Sequence, residues 1–245
     1  MMPASWTQIL VNESPMEAYI AKPATGGPYH PVIVVQEIWG VNAYIQSIAN
    51  KLASAGFYAI APSLFHREGL GTIGVFEETD LALERLGRLD DENILNDLRH
   101  TENFIANQDD VISDKVGIIG FCVGGRIAYL AAANLDSVAA AVDFYGGRCF
   151  VPFGDGVSPF DQTAYINAPL LGLFGEDDQN PTTEEVDKMA MELTKHQKKF
   201  EFHVYPGASH GFNCEERPAY RRDAALHAWG KAIEWFNSFL VNKNA

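Results

Sequence analysis

The chain has 245 residues, 47% of them hydrophobic, enough to bury a substantial core and within the size at which an α/β protein folds as one domain, expected here over residues 1–245. Thirty-two acidic against eighteen basic side chains leave a formal charge of −14, which repels nucleic acid phosphates and anionic head groups and argues against both as partners. No apolar run approaches membrane-spanning length, the start MMPASWTQILVNESP lacks a basic stretch followed by an apolar one, and three cysteines are too few for a disulfide framework; a soluble cytoplasmic protein is expected.

Short apolar runs alternate with longer segments of helical period, the pattern of a mostly parallel sheet covered by helices on both faces. Two more polar runs, near TQILV and MEAYIAKP, come first and read as an antiparallel edge. PVIVVQ (Pro31 to Gln36) is a buried strand, followed by a helix over Asn42 to Ala55 and the strand YAIAP (Tyr58 to Pro62). The glycine-rich EGLGTIG (Glu68 to Gly74) is expected to be a flexible insertion and a candidate lid, and one long helix is expected over Thr79 to Asn107. Then come the strand KVGIIGF (Lys115 to Phe121), a helix over Gly124 to Asn134, and the strands VAAAVDFYG (Val138 to Gly146) and PLLGLFG (Pro169 to Gly175). A helix over Thr182 to His196, the strand FEFHVYP (Phe200 to Pro206) and a helix over Pro218 to Leu240 complete the series. Glycine or proline follows most strands, so ligands are expected at the carboxyl ends of the sheet.

One of the three cysteines stands where a strand breaks into a helix. In GFCVGG, glycines lie two before Cys122 and two and three after it, the G-x-C-x-G form of the nucleophile elbow. Neighbours without Cβ atoms are needed where strand, turn and helix crowd together. The corner sets the sulfur at the amino end of a helix, whose dipole favours a thiolate, and turns the Val123 N–H toward the oxygen of a carbonyl under attack. Cys149 and Cys214 lack this context and read as buried apolar residues.

An elbow nucleophile needs a base, with the chain order nucleophile, acid, histidine. YPGASHGF carries His210 just past the last strand, in a loop suited to a base. The other six histidines, His66 among them, read as surface or capping residues. GEDDQNP supplies three carboxylates after the strand PLLGLFG; the spacing from Gly175 selects Asp178, counting back from Pro181 leaves Asp177 open, and one or two of the three read as caps for the helix beginning near Thr182. After the first buried strand, EIWG holds Glu37, a carboxylate costly to bury unless it is partnered, and the Ile38 N–H as a second oxyanion donor. Trp39 beside it is a pocket candidate or a core residue.

Taken in order, VQEIWG, GFCVGG, FYGG, FGEDD and SHGF resemble the dienelactone hydrolase family of α/β-hydrolases over nearly the whole chain. The resemblance implies an eight-stranded sheet, a triad of Cys122, Asp178 and His210, and a Glu37 that bonds the resting thiol and helps to deprotonate it when substrate arrives. It further implies the Ile38 and Val123 N–H groups as the oxyanion hole, and Tyr145 in the pocket. The arginine that family members carry four residues after the histidine is replaced here by Cys214, so a substitute cation is sought among Arg67, Arg85, Arg88 and Arg148. The expected function is hydrolysis of a small ester or lactone through an acyl-thioester, by a monomer or small homo-oligomer. No cofactor or metal is expected, since no ligand spacing suits one. Thioesterase or acyltransferase activity on the same fold, or ligand binding without turnover, are the alternatives.

Overall fold

Strands covered by helices on both faces have no polar side to show, and the central strands of this chain follow that rule. In the computed structural model, which describes residues 3–112 and 114–242, β3 (Pro31–Val35), β4 (Tyr58–Pro62), β5 (Val116–Phe121) and β7 (Leu170–Gly175) are buried at every position. The polar runs at the start form β1 (Ala4–Val11) and β2 (Ser14–Ala21), paired antiparallel with Ala4 opposite Ala21 and Val11 opposite Ser14. With β6 (Val138–Phe144) and β8 (Phe200–Tyr205) they make one mostly parallel sheet of eight strands, ordered β1-β2-β4-β3-β5-β6-β7-β8. The antiparallel edge expected from the sequence is present: β2 pairs antiparallel with both β1 and β4. No helix among the described residues is long and apolar enough to cross a membrane.

The residues pack as two compact units, the first being the chain up to Gly117 together with Pro152–Gly156. There α1 (Ala43–Ser54) turns Tyr44, Ile45, Ile48, Ala49, Leu52 and Ala53 inward, and Asn42 caps it by accepting the Ile45 N–H at 3.2 Å. The single helix expected over Thr79 to Asn107 is two, α2 (Thr79–Leu86) and α3 (Asp91–Ala106). The chain leaves α2 at Gly87, and Asp90 restarts it by accepting the Asn93 N–H at 2.9 Å, an N-cap that outweighs the continuous helical period around it.

The second unit, Ile118–Val151 and the chain from Val157 onward, carries the parallel register of β6, β7 and β8, with Ala141 opposite Leu170 and Leu173 opposite His203. The apolar α4 (Val123–Asn134) packs against β6, and α5 (Thr183–Lys195) opens with a capping box between Thr182 and Glu185. That box corrects the expectation that acidic residues at 176–178 cap this helix. The last helix, α6 (Arg222–Phe236), begins four residues later than its apolar period suggests. Residues before it are held in turns, Tyr220 donating to the Arg217 carbonyl at 3.0 Å and Arg221 to that of Phe212 at 3.0 Å.

Candidate active site

Cys122 is the residue between β5 and α4, held at φ +58°, a left-handed conformation that is costly for a side-chain-bearing residue. The surrounding structure enforces it. A Cβ on Gly120 would lie 1.8 Å from the Gly124 carbonyl oxygen, so strand and helix cross where only glycine fits. The Cys122 N–H donates to the Phe144 carbonyl at 3.0 Å, tying the corner to the end of β6, while its own carbonyl accepts the Gly125 N–H at 3.0 Å and starts the helix. Its side chain is half-buried, whereas Cys149 and Cys214 are buried, and none of the three is in a disulfide.

The acid and the imidazole come from the loops after β7 and β8, and backbone bonds clasp these loops together. Glu176 donates its N–H to the Tyr205 carbonyl at 3.0 Å and Asp177 to the Ala208 carbonyl at 2.9 Å; a Cβ on Gly175 would meet that same Ala208 oxygen at 2.4 Å. From this frame Asp178, buried, accepts the Asn180 N–H at 2.8 Å on one oxygen and meets His210 Nδ1 at 2.9 Å with the other. Asp177 is exposed, so the geometry pairs Asp178 with the ring. Burial alone would push the His210 pKa down; Cys122 and Asp178, each through charge and hydrogen bonding, outweigh it and hold the ring well above its ordinary range. Tyr145, fully buried at φ +44°, packs its ring edge-on to the imidazole at 5.1 Å.

Two residues here were not singled out in the sequence. Asp143 is wholly buried in β6, and its signal was a lone charge within the apolar run VAAAVDF. Arg217 follows SHGF by a few residues and folds back on the histidine loop: a Cβ on Gly211 would meet its Nη1 at 2.1 Å. It is a cation against the loop that lost the arginine expected at position 214.

Most of the other sequence-predicted residues belong to the first unit; Val123, the first residue of α4, and Arg148 belong to the second. Glu37 is fully buried and turns into Gly40, whose N–H donates to the Glu37 carbonyl at 3.1 Å. Gly40 has φ +80° and approaches the Thr72 carbonyl so closely that a Cβ would stand 2.9 Å from it. Ile38 and Trp39 are buried, Trp39 edge-on to Phe76 at 4.8 Å. Residues 69–74 are tied down on this loop, since the Gly74 N–H donates to the Trp39 carbonyl at 2.8 Å. Of the cations considered as substitutes, Arg67 is held by both oxygens of Asp97 at 2.7 and 2.8 Å, and Arg88 is paired with Glu68 and Glu84. Arg85 lies against Gly74, and Arg148 is exposed.

A mostly parallel eight-stranded sheet with a cysteine at the strand-to-helix corner, and with an aspartate and a histidine on the next two strand-end loops, defines an α/β-hydrolase fold. The chain belongs to the dienelactone hydrolase family, whose model matches residues 16–240. It is 38% identical over 240 residues to an Escherichia coli K12 protein named "Putative carboxymethylenebutenolidase", covering 96% of this chain and 87% of that one. A protein of the same name from Methylorubrum extorquens is 34% identical over 244 residues, covering 97% of this chain and 82% of that one. Among solved structures, "Putative Dienelactone Hydrolase" from Klebsiella pneumoniae superposes with a TM-score of 0.89 at 33% identity, covering 98% of this chain and 100% of that one.

Proposed function

We propose that the chain hydrolyses carboxylic ester or lactone bonds of small molecules, with Cys122 as nucleophile, His210 as base and acid, and Asp178 orienting the imidazole. One observation carries this reading: a single imidazole is bonded to the Asp178 carboxylate at 2.9 Å and acts on the Cys122 sulfur, which a strained strand-to-helix corner presents. His210 takes the thiol proton, leaving the negative charge on sulfur. The thiolate adds to the carbonyl carbon, the carbonyl electrons move onto oxygen, and the Val123 N–H at the start of α4 stabilises that oxyanion. As the oxyanion collapses the C–O bond breaks, His210 gives its proton to the leaving oxygen, and a thioester remains on Cys122. Water then loses a proton to His210 as it attacks the thioester, the C–S bond breaks, and the acid leaves with the thiolate restored.

A thiolate leaves more readily than an amine, so an amide-derived intermediate would expel sulfur and revert. This chemistry favours activated esters and enol lactones over peptides, and the names of the relatives make butenolide-type lactones the first substrates to try. Replacing Cys122 with alanine is expected to lower kcat for a chromogenic ester or an enol lactone by about 10⁴-fold or more, while Cys149→Ala and Cys214→Ala leave it within a few-fold. Retained turnover in the Cys122 variant would end the covalent reading.

A further inference from the structure

β6 is apolar except for one carboxyl group, and packing alone gives no reason for it. Asp143 is completely buried between Val142 and Phe144, its Oδ1 accepts the Gly146 N–H at 2.7 Å, and among the described residues its Oδ2 has no hydrogen-bond partner. Two glycines make room for it. A Cβ on Gly125 would stand 2.1 Å from Oδ1, and one on Gly146 would stand 2.4 Å from Oδ1, 2.7 Å from Oδ2 and 2.5 Å from the Arg126 nitrogen. The carboxyl is therefore seated in the first turn of α4, the helix that Cys122 opens, one residue from the carbonyl that receives the Cys122 N–H.

Charged and titratable groups lie on the elements around it, and His210 and Asp178 act on it directly. α4 supplies Cys122, the Tyr129 phenol and Arg126, whose guanidinium is occupied with the carbonyls of Arg148 at 3.1 Å and Val151 at 2.7 Å. The loop after β6 holds Cys149, and the loops after β7 and β8 hold Asp178 and His210. Loss of solvent pushes the Asp143 carboxyl up to about 7; the Gly146 N–H and the charge of His210 pull it down, and Asp178 pushes it up. Its ionisation is thus linked to that of His210, which it does not touch in the proposed chemistry.

We propose that Asp143 is a positioning residue of this reaction: seated on Gly125 and Gly146 at the amino end of the nucleophile's helix, it stabilises the protonated imidazole of His210 and so preserves the ion pair with Cys122. The inference rests on the cysteine–histidine reading above. When ionised, Asp143 places a second negative charge near the imidazolium; when His210 loses its proton, Asp143 binds one more readily, both exchanging with solvent. The buried charge of the site then changes less than the imidazole alone would require.

The test is Asp143→Asn in the full chain, which keeps an acceptor for the Gly146 N–H and removes the charge. His210 should then deprotonate at lower pH, moving the alkaline limb of kcat/KM for a chromogenic ester toward acid by about 0.5–1 pH unit with KM little changed. A purely structural role would lower the melting temperature and leave both limbs where they are. Should the variant not fold, wild-type protein carrying 13C at aspartate Cγ gives the answer by NMR. One carboxyl carbon should titrate near neutrality, with a midpoint that rises in His210→Asn, where the cation that lowers it is gone. Superposed pH profiles, or no carbon that responds to His210, would overturn the inference. Iodoacetamide separates the two levels: a wild-type Cys122 that alkylates slowly removes the cysteine reading itself, whereas a fast Cys122 with unmoved limbs removes only the role of Asp143.

Discussion

Two histidines of this chain are paired with buried aspartates, and the pairs differ in what surrounds them. His66 Nε2 lies 3.3 Å from Asp97, and His210 Nδ1 lies 2.9 Å from Asp178. The Asp97 carboxylate is also gripped by both arms of the Arg67 guanidinium, and that hydrogen-bonded pairing, opposed by burial and reinforced by the Asp97 and Asp90 charges, raises the arginine pKa further. Asp178 has backbone N–H and imidazole as partners instead, so its charge acts on the ring. Exposure separates them too: the His66 side chain is 2% accessible and that of His210 26%, and a general base has to meet its substrate. A histidine–aspartate pair is thus no catalytic signature by itself. In the proposed reading the third partner decides, a guanidinium that consumes the carboxylate in one pair and a sulfur that takes up the imidazole in the other.

Removing each carboxylate in turn gives the sharpest break. Asp178→Asn presents an amide N–H to His210 Nδ1, which favours the wrong tautomer; kcat for a chromogenic ester should fall by about 10³–10⁴-fold with only a small change in the urea midpoint. Asp97→Asn should do the reverse, leaving kcat/KM within about threefold and costing about 1–3 kcal/mol in urea unfolding, a figure held down because the Arg67 side chain is 40% accessible. If Asp97→Asn were instead to silence turnover at unchanged stability, the two pairs would not be different in kind.

The sequence carried most of the α/β order because buried parallel strands are written as uninterrupted apolar runs, and PVIVV, YAIAP and LLGLFG appear as strands within a residue of their expected ends. The elbow was legible for a steric reason, as Gly120 cannot carry a Cβ against the Gly124 carbonyl. Legibility failed where one side chain overrides a period. Asp90 divides a continuous helical pattern, and Thr182 with Glu185 takes the capping task expected of the acids at 176–178. His66 was read as a surface or capping residue, yet it is buried, because its partner Asp97 lies thirty-one positions away and no local pattern announces it. Asp143 did leave a local mark, but a lone charge in a strand says that something holds it and not what.

The smallest test concerns Arg67 itself. Lysine keeps the charge but has no planar fork, so Arg67→Lys retains one bond to Asp97 where there were two, at 2.7 and 2.8 Å. With this side chain part-exposed, the loss should be about 0.5–1 kcal/mol in urea unfolding, with kcat and KM unchanged. In the Asp97→Asn background the same substitution should cost almost nothing more, since the partner it weakens has already gone. A loss that is fully additive would mean that the guanidinium is held by something other than Asp97, and a fall in kcat would mean that Arg67 works on substrate. Either result would erase the distinction between a carboxylate consumed by its arginine and one left to act on its histidine.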